Sequence, residues 1–138
     1  MLAPLPQLDT IRIAVIGLGY VGLPLLIAFS KRYNAIGFDI NPTRIESLQK
    51  GIDETKQVSK EEILRSHCTF SSTLCDIVEA NVYIICVPTP IDEYKVPDLS
   101  ALLGASEMVG KVLQRGNIVI YESTTYPTCT ENECRAML

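Results

Sequence analysis

The sequence has no tryptophan, a single histidine and no excess of basic residues. Its 12 lysines and arginines are outnumbered by 16 aspartates and glutamates, which gives a formal net charge of -4. Non-specific binding to nucleic acid requires a positive field, so we expect no nucleic-acid partner. With 47% hydrophobic and 20% charged residues in 138 positions, the composition is that of one globular domain rather than a disordered chain.

The cysteines lack the spacing of a metal site or of a disulfide framework. An odd number without a Cys-x-x-Cys pair suits a reducing cytosol and predicts no metal site. Cys86 lies in an apolar run and is interpreted as a small buried hydrophobe. Cys129 is a more plausible reactive thiol than Cys134, but we expect structural roles for both, and we expect His67 to be a surface or capping residue rather than a general base. The five cysteines are Cys68, Cys75, Cys86, Cys129 and Cys134.

Long hydrophobic runs are also lacking. The first ten residues have neither the basic start nor the apolar stretch of a signal peptide, so we expect a cytoplasmic protein that is not exported by this route. The stretch from Ile13 to Phe29 is uncharged, but glycines and Pro24 interrupt it, and it is shorter than the roughly 20 residues of a membrane span. We therefore predict no membrane segment, and we predict an N-terminal extension over residues 1–10 followed by one domain over residues 11–138.

Short apolar runs alternate with helical segments along the chain. The runs Ile11 to Ile16, Val82 to Val87 and Ile118 to Tyr121 are rich in β-branched residues, which is typical of parallel strands covered on both faces. Ala35 to Ile40 is a weaker strand and Cys68 to Phe70 a marginal one. This alternation predicts βαβ crossovers and hence an α/β fold with a Rossmann-type, doubly wound parallel sheet.

Capping residues mark the predicted helices. The pair Asn41-Pro42 begins a helix that Gly51 ends. Asp98 is expected to cap an amphipathic helix from Leu99 to Leu113, because the apolar residues of that segment share one face.

Shorter helices are predicted elsewhere. A polar surface insertion holds a helix near Lys60 to Arg65, and Ser72 or Thr73 caps another short helix. Thr130 to Glu133 fits a capping box. The helix that follows reaches Leu138 without a stop signal, so we expect one domain of a longer protein, truncated within or near a helix; a short final helix that frays is the alternative.

A glycine motif links the first strand to the first helix. Gly17, Gly19 and Gly22 form G-x-G-x-x-G, which permits a tight turn, close approach of a pyrophosphate and close packing of helix on strand. Asp39, at the end of the second strand, can accept hydrogen bonds from an adenosine ribose and repels the 2′-phosphate of NADP, so NAD is the predicted cofactor. The alternative is a plain turn followed by an aspartate that caps the next helix. Arg44 either lies along the adenosine or is a solvated helix residue.

Two further loops leave the carboxyl ends of the fourth and fifth strands. They are Val87-Pro88-Thr89-Pro90 and Glu122-Ser123-Thr124-Thr125. In an open parallel sheet these ends share an edge with the glycine loop, and ligands bind along that edge. We therefore predict that three loops converge on one crevice, where the hydroxyl of Thr124 can donate and accept. The alternative for the prolines is a turn that only ends the strand.

Together these motifs resemble the N-terminal, NAD-binding domain of the UDP-glucose/GDP-mannose dehydrogenase family, and in particular its branch that oxidises UDP-N-acetylhexosamines. The resemblance covers the chain past residue 10, and its motifs occur in the order that the family shows. They are IAVIGLGYVGLPL (Ile13 to Leu25), GFDIN (Gly37 to Asn41), VPTPID (Val87 to Asp92), PDLS (Pro97 to Ser100) and IVIYESTTYP (Ile118 to Pro127).

The resemblance implies an enzyme that oxidises the C6 alcohol of a UDP-sugar to a carboxylate in two hydride transfers to NAD, as a homo-oligomer when full length. Thr124 would reach the nicotinamide and the substrate and help to place a water, which makes it the implied catalytic residue. Thr128 stands where this branch more often has glycine. The implied contacts are Gly17, Gly19, Tyr20, Val21 and Gly22 with the pyrophosphate, Asp39 and Arg44 with the ribose, and Val87, Pro88, Thr89 and Thr124 with the rest of the cofactor.

The family's nucleophilic cysteine and its lysine, asparagine and aspartate partners come from parts of the chain beyond Leu138. The resemblance therefore implies a cofactor half-site that binds NAD without turnover, since the second oxidation has no nucleophile. Two alternatives remain. A dehydrogenase of the hydroxyacid or 6-phosphogluconate group shares the fold but not the VPTPID and YEST motifs, and a non-catalytic NAD-sensing module needs only the glycines and Asp39.

Overall fold

A five-stranded parallel sheet forms the centre of the molecule, in the order β3-β2-β1-β4-β5. The computed structural model describes residues 2–138. The chain builds one half of the sheet outward from β1 and then returns to build the other, so β1 and β4 flank the topological switch point. The predicted α/β Rossmann-type sheet is confirmed. The strands are β1 (Arg12–Ile16), β2 (Asn34–Phe38), β3 (Thr69–Ser71), β4 (Val82–Ile85) and β5 (Ile118–Tyr121).

Helical layers cover both faces of the sheet. Alternate side chains of β1 face opposite sides, so Val15 joins one hydrophobic core with Leu26 and Leu48, while Ile16 joins the other with Leu102. The α-helices are α1 (Gly22–Ser30), α2 (Pro42–Gln49), α3 (Lys60–Arg65) and α4 (Ser100–Gly110). Single 3₁₀ turns occupy Leu8–Thr10, Leu74–Ile77 and Arg135–Met137, and a π-helical turn occupies Thr130–Cys134.

Within the described chain, none of these helices has the length and apolar character needed to cross a membrane.

The predicted caps of α2 and α3 are confirmed. The side chain of Asn41 accepts hydrogen bonds from the backbone N–H groups of Thr43 and Arg44 at the start of α2. Ser59 and Glu62 form a reciprocal capping box at the start of α3. Gly51 follows α2 with a φ of +78°, which a side chain rarely adopts.

The predicted bounds of α4 are wrong at both ends. The carboxylate of Asp98 does accept the backbone N–H of Ser100 at 2.9 Å, but Leu99 occupies the N-cap position and the helix begins one residue later than predicted. It ends at Gly110 rather than near residue 113. The N–H groups of Val112 and Leu113 both turn back to the carbonyl of Val109, so the apolar stripe continues through a turn instead of a helix.

Two predicted caps are absent. The segment after β3 is a single 3₁₀ turn, and the side chain of Thr73 does not cap it. Instead, the backbone N–H of Thr73 donates to Ser71 Oγ at 2.9 Å. The capping box at residues 130–133 does not form, because Cys129 at the N-cap already has helical backbone angles. The π-helical turn that follows brings residues five apart onto one side, and it buries both Cys129 and Cys134 completely.

Candidate cofactor-binding cleft

The first and third glycines of the loop after β1 are required by the backbone. Gly17 has a φ of +91°, and a Cβ there would lie 3.0 Å from the backbone nitrogen of Val87. A Cβ at Gly22 would overlap the carbonyl oxygen of Gly17. The loop is tied to β2 by the Gly17 N–H, which donates to the carbonyl of Phe38 at 2.8 Å. These glycines therefore allow α1 to start directly against the end of β1.

Gly19 differs from its neighbours because its open side faces empty space. A Cβ built on it meets no heavy atom within 4 Å. Its backbone borders two cavities, and Cys86, Val87 and Pro88 also line both of them. The cavities therefore meet at the glycine loop and form one cleft along the carboxyl ends of β1, β2, β4 and β5.

The two cavities have different walls. The first, of about 580 Å³, lies between the glycine loop, the end of β2 and α4, and its other walls include Asp39, Ile40, Asn41, Arg44, Ser100, Gly104 and Met108. The second, of about 440 Å³, lies over the loops after β4 and β5, and its other walls include Tyr20, Val21, Thr55, Thr89, Glu122, Ser123 and Thr124.

Asp39 joins the end of β2 to the glycine loop. One carboxylate oxygen accepts the N–H of Leu18 at 3.0 Å, and the other accepts the N–H of Asn41 at 3.0 Å. Each oxygen keeps a further lone pair for a ribose hydroxyl. Because Asn41 itself caps α2, the alternative of Asp39 as the helix cap is wrong.

Arg44 is buried, with only 8% of the residue exposed, so the alternative of a solvated helix residue is wrong. Its Nε and Nη2 donate to the carbonyl oxygen of Leu18 at 2.9 and 2.7 Å, and Nη2 also pairs with Asp53 Oδ1 at 2.8 Å. Its Nη1 is buried and has no hydrogen-bond partner among residues 2–138. A buried guanidinium nitrogen with unused protons fits a polar ligand in the adjoining cavity.

Asp53, which the sequence motifs did not single out, fixes Arg44 from the loop after α2. Its side chain is 1% exposed and accepts hydrogen bonds from Thr55 N, Thr55 Oγ1, Gln57 N and Val58 N at 2.7 to 3.0 Å. Burial raises the pKa of this carboxyl, but the hydrogen bonds from Thr55, Arg44 and the two amides outweigh it and hold the pKa well below its usual value. The carboxylate is therefore ionised at neutral pH.

The loops after β4 and β5 are joined to each other. Thr89 Oγ1 donates to the carbonyl oxygen of Thr124 at 2.5 Å, and Ser123 Oγ donates to the carbonyl oxygen of Val87 at 2.6 Å. The side chains of Pro88 and Thr124 stay in contact with solvent, since both residues are exposed. The three loops thus meet at one edge of the sheet, as their positions in the sequence predict.

The thiols near the cleft are protected. Cys86 lines both cavities yet is only 9% exposed, and its burial together with the nearby Glu122 raises its pKa to about 11. The thiol is therefore protonated at neutral pH, which confirms the interpretation as a buried hydrophobe. Cys134 is buried and its pKa is raised by that burial and by Cys129, whereas His67 lies on the surface, as predicted.

Residues 11–138 match the NAD-binding domain of the UDP-glucose/GDP-mannose dehydrogenase family. The chain belongs to this family. Its cofactor is NAD, as the glycine loop and Asp39 predict, and the resemblance drawn from the motifs is confirmed. The open side of Gly19, the remaining lone pairs of Asp39 and the unpaired Nη1 of Arg44 all fit a dinucleotide in the cleft.

Several relatives in this family are nucleotide-sugar dehydrogenases. The chain is 52% identical over 132 residues to UDP-N-acetyl-D-glucosamine 6-dehydrogenase of Salmonella typhi, and the matched region covers 95% of this chain and 31% of the relative. It is 52% identical over 129 residues to the enzyme of the same name from Pseudomonas aeruginosa, with 93% and 31% covered. The structure of UDP-D-ManNAc dehydrogenase from Pyrococcus horikoshii superposes with a TM-score of 0.83 at 37% identity, over 92% of this chain and 32% of that one. The chain thus spans about a third of the length of these relatives.

Proposed function

We propose that this chain forms the NAD half-site of a UDP-N-acetylhexosamine 6-dehydrogenase, which oxidises the C6 alcohol of the sugar to a carboxylate with two NAD. Two relatives at 52% identity carry the name UDP-N-acetyl-D-glucosamine 6-dehydrogenase. The family motifs around Thr89 and Thr124 lie in the two loops that form the second cavity. Family membership favours this function over a dehydrogenase of the hydroxyacid or 6-phosphogluconate group.

The glycine loop would bind the pyrophosphate. The backbone N–H groups at the start of α1 have no partner within the helix, and the helix dipole favours a negative group there. Gly19, Tyr20 and Val21 line the cleft just before α1, which begins at Gly22, while Gly17 shapes the turn that precedes them. Pyrophosphate binding therefore requires no lysine.

The adenosine would occupy the first cavity. Asp39 would accept hydrogen bonds from the ribose hydroxyls, and Arg44 would donate from Nη1, which has no partner within the described chain. The carboxylate of Asp39 also opposes a 2′-phosphate, so the site would prefer NAD to NADP.

The nicotinamide would occupy the second cavity, lined by Val87, Pro88, Thr89 and Thr124. When bound there, NAD supplies the hydride acceptor for the C6 alcohol. The exposed hydroxyl of Thr124 would orient a water at the substrate side. A non-catalytic sensor would need only the glycines and Asp39. The two hydrogen bonds that join the loops after β4 and β5 therefore favour the enzyme over the sensor.

This chain alone would bind NAD without turnover. A thiohemiacetal and thioester route needs an activated thiolate. Cys86 is protonated and buried beside the cleft, and Cys129 is fully buried under α4. The missing nucleophile would come from the remaining two thirds of a full-length enzyme.

The open side of Gly19 is the observation that carries this proposal, and it gives a direct test. Calorimetric titration of the 138-residue chain should give weak but measurable heat with NAD. Gly19→Ala should weaken NAD binding by about tenfold or more, because a methyl group would stand where the pyrophosphate approaches. The melting temperature should stay within about 3 °C of the wild type, since the methyl meets no protein atom.

Two outcomes would overturn the proposal. A folded chain that shows neither heat nor a thermal shift at millimolar NAD would remove the cofactor site. Sustained NADH production from a UDP-sugar by this chain, with contaminating enzyme excluded, would contradict the half-site and would return Cys86 or Cys129 as the nucleophile.

A further inference from the structure

A buried arginine lies beside the carboxylate that selects the cofactor. Asp39 accepts the N–H of Leu18 at 3.0 Å, and Arg44 donates to the carbonyl oxygen of the same residue at 2.7 and 2.9 Å. Both side chains line the first cavity. A guanidinium is a favourable partner for a phosphate, so an uncompensated Arg44 in this cavity would attract the 2′-phosphate of NADP and oppose Asp39.

Asp53 supplies the compensating charge. Its Oδ1 lies 2.8 Å from Arg44 Nη2, and the two side chains are 1% and 9% exposed. Solvent and salt therefore screen this pair only weakly, and its two charges largely cancel at the ribose subsite. Within residues 2–138, none of the ion pairs includes Asp39.

The turn around Asp53 fixes this carboxylate in place. Thr55 and the backbone N–H groups of Gln57 and Val58 donate to it, so both of its oxygens accept hydrogen bonds from the turn. If the carboxylate rotated away, these donors would lose their acceptor. The turn therefore stabilises the pairing of Asp53 with Arg44.

We propose that Asp53 is a specificity-determining residue: by pairing with Arg44 it cancels the positive charge beside the ribose subsite, so that Asp39 alone decides for NAD against NADP. Asp53 acts through Arg44 and is therefore a positioning residue rather than a ligand of the cofactor. This inference rests on the adenosine site of the proposed function. It explains how a chain with a buried arginine beside the ribose subsite keeps a preference for NAD.

The test is the ratio of the NADP and NAD dissociation constants, measured by calorimetry on the 138-residue chain. Asp53→Asn keeps the shape of the side chain and removes its charge. The ratio should fall by on the order of tenfold in favour of NADP, which is the effect of one uncompensated charge several ångströms away. A purely structural loss would weaken both cofactors equally and leave the ratio unchanged, and an unchanged ratio overturns the proposal.

Thr55→Val is the matched control. It removes the hydroxyl that donates to Asp53 at 2.7 Å and loosens the same turn, but it keeps the charge of Asp53. Thr55 lines the second cavity, where NAD and NADP are chemically identical. The ratio should therefore stay within about threefold of the wild type; a tenfold change would show that the turn, and not the charge, sets the preference.

A double variant covers the case in which Asp53→Asn does not fold. Removing both charges of a buried ion pair together is often tolerated, and asparagine keeps a side-chain oxygen as an acceptor for the turn, so Arg44→Gln/Asp53→Asn should fold. Its ratio should stay within about threefold of the wild type, because a neutral pair has been removed. A tenfold selective loss of NADP affinity would mean that Arg44 acts uncompensated, which overturns the inference. If the wild type binds no NAD, the proposed function fails instead.

Discussion

The two ends of the cleft are built in different ways. At the proposed adenosine end, Asp39 and Arg44 hold the glycine loop through hydrogen bonds to Leu18, and Asp53 holds Arg44 through a buried ion pair. At the proposed nicotinamide end, two hydrogen bonds join loops in which exposed residues alternate with half-buried ones, and one of these bonds connects Thr89 with the loop after β5.

This difference shows which part of the site is complete in the chain by itself. Groups that are buried and already paired lose little freedom when a ligand binds, so a preorganised subsite contributes affinity at low cost. Exposed loops must be ordered at the moment of binding. We therefore expect the adenosine end to provide most of the affinity for NAD, while the nicotinamide end contributes little until further protein covers it.

The largest effect should come from Gly22, which packs the start of α1 against the loop that both cavities share. In Gly22→Ala the added Cβ would overlap the carbonyl oxygen of Gly17, so α1 must move away from the loop. We expect a loss of at least about 3 kcal/mol of unfolding free energy, and a melting temperature lower by about 10 °C or more. Thermal unfolding followed by circular dichroism measures both, and NAD binding should disappear with the fold.

Gly104→Ala is the control for that variant. Gly104 also lies in a helix, but a Cβ there meets nothing within 4 Å. Because alanine is the better helix former, the same methyl group should raise the stability by up to about 1 kcal/mol. Equal destabilisation by both variants would contradict the close packing of α1 against the glycine loop.

The next effect concerns the adenosine end. Asp39→Ala should weaken NAD binding by on the order of 10- to 150-fold, because a hydrogen bond to a charged group is worth roughly 1.5–3 kcal/mol. NADP binding should weaken much less, or improve, since the variant removes a negative charge from beside the 2′-phosphate. The unfolding free energy should also fall by about 1–2 kcal/mol, because the N–H groups of Leu18 and Asn41 lose their acceptor. Calorimetry with both cofactors and a melting curve give all three values.

Ser59→Ala separates stability from binding. It removes the capping box of α3, away from the cleft, and should cost about 1 kcal/mol of stability with no change in either affinity. If Asp39→Ala behaves like this control, with an unchanged ratio of NAD to NADP affinity, then Asp39 does not contact the ribose.

Much of the fold follows from local sequence patterns. The β-branched runs and the Asn41-Pro42 cap are short-range signals, and the structure has the strands and α2 where those signals lie. The errors concern segments whose ends depend on tertiary packing. The burial of Cys129 and Cys134 selects a π-helical turn, and no capping pattern in the sequence reports that burial.

The site divides in the same way. The spacing of the glycines and the distance to Asp39 are properties of one βαβ unit, so the sequence reports them. The role of Arg44 depends on Asp53, which approaches it from a loop of irregular structure. The Asp-x-Thr pattern at Asp53 does indicate a local turn, but nothing in that pattern identifies an arginine nine residues earlier as its partner.

The smallest effect should come from the nicotinamide end. Thr89→Val removes the hydroxyl that donates to the carbonyl oxygen of Thr124 at 2.5 Å and keeps the shape of the side chain. Because this hydrogen bond is exposed to solvent, we expect a loss of at most about 1 kcal/mol of stability and less than about a threefold loss of NAD affinity, measured by melting and calorimetry. Ser123→Ala, which removes the other link between these loops, should behave similarly. If either variant weakened NAD as much as Asp39→Ala does, the nicotinamide end would already be preorganised in this chain, and the contrast between the two ends would be wrong.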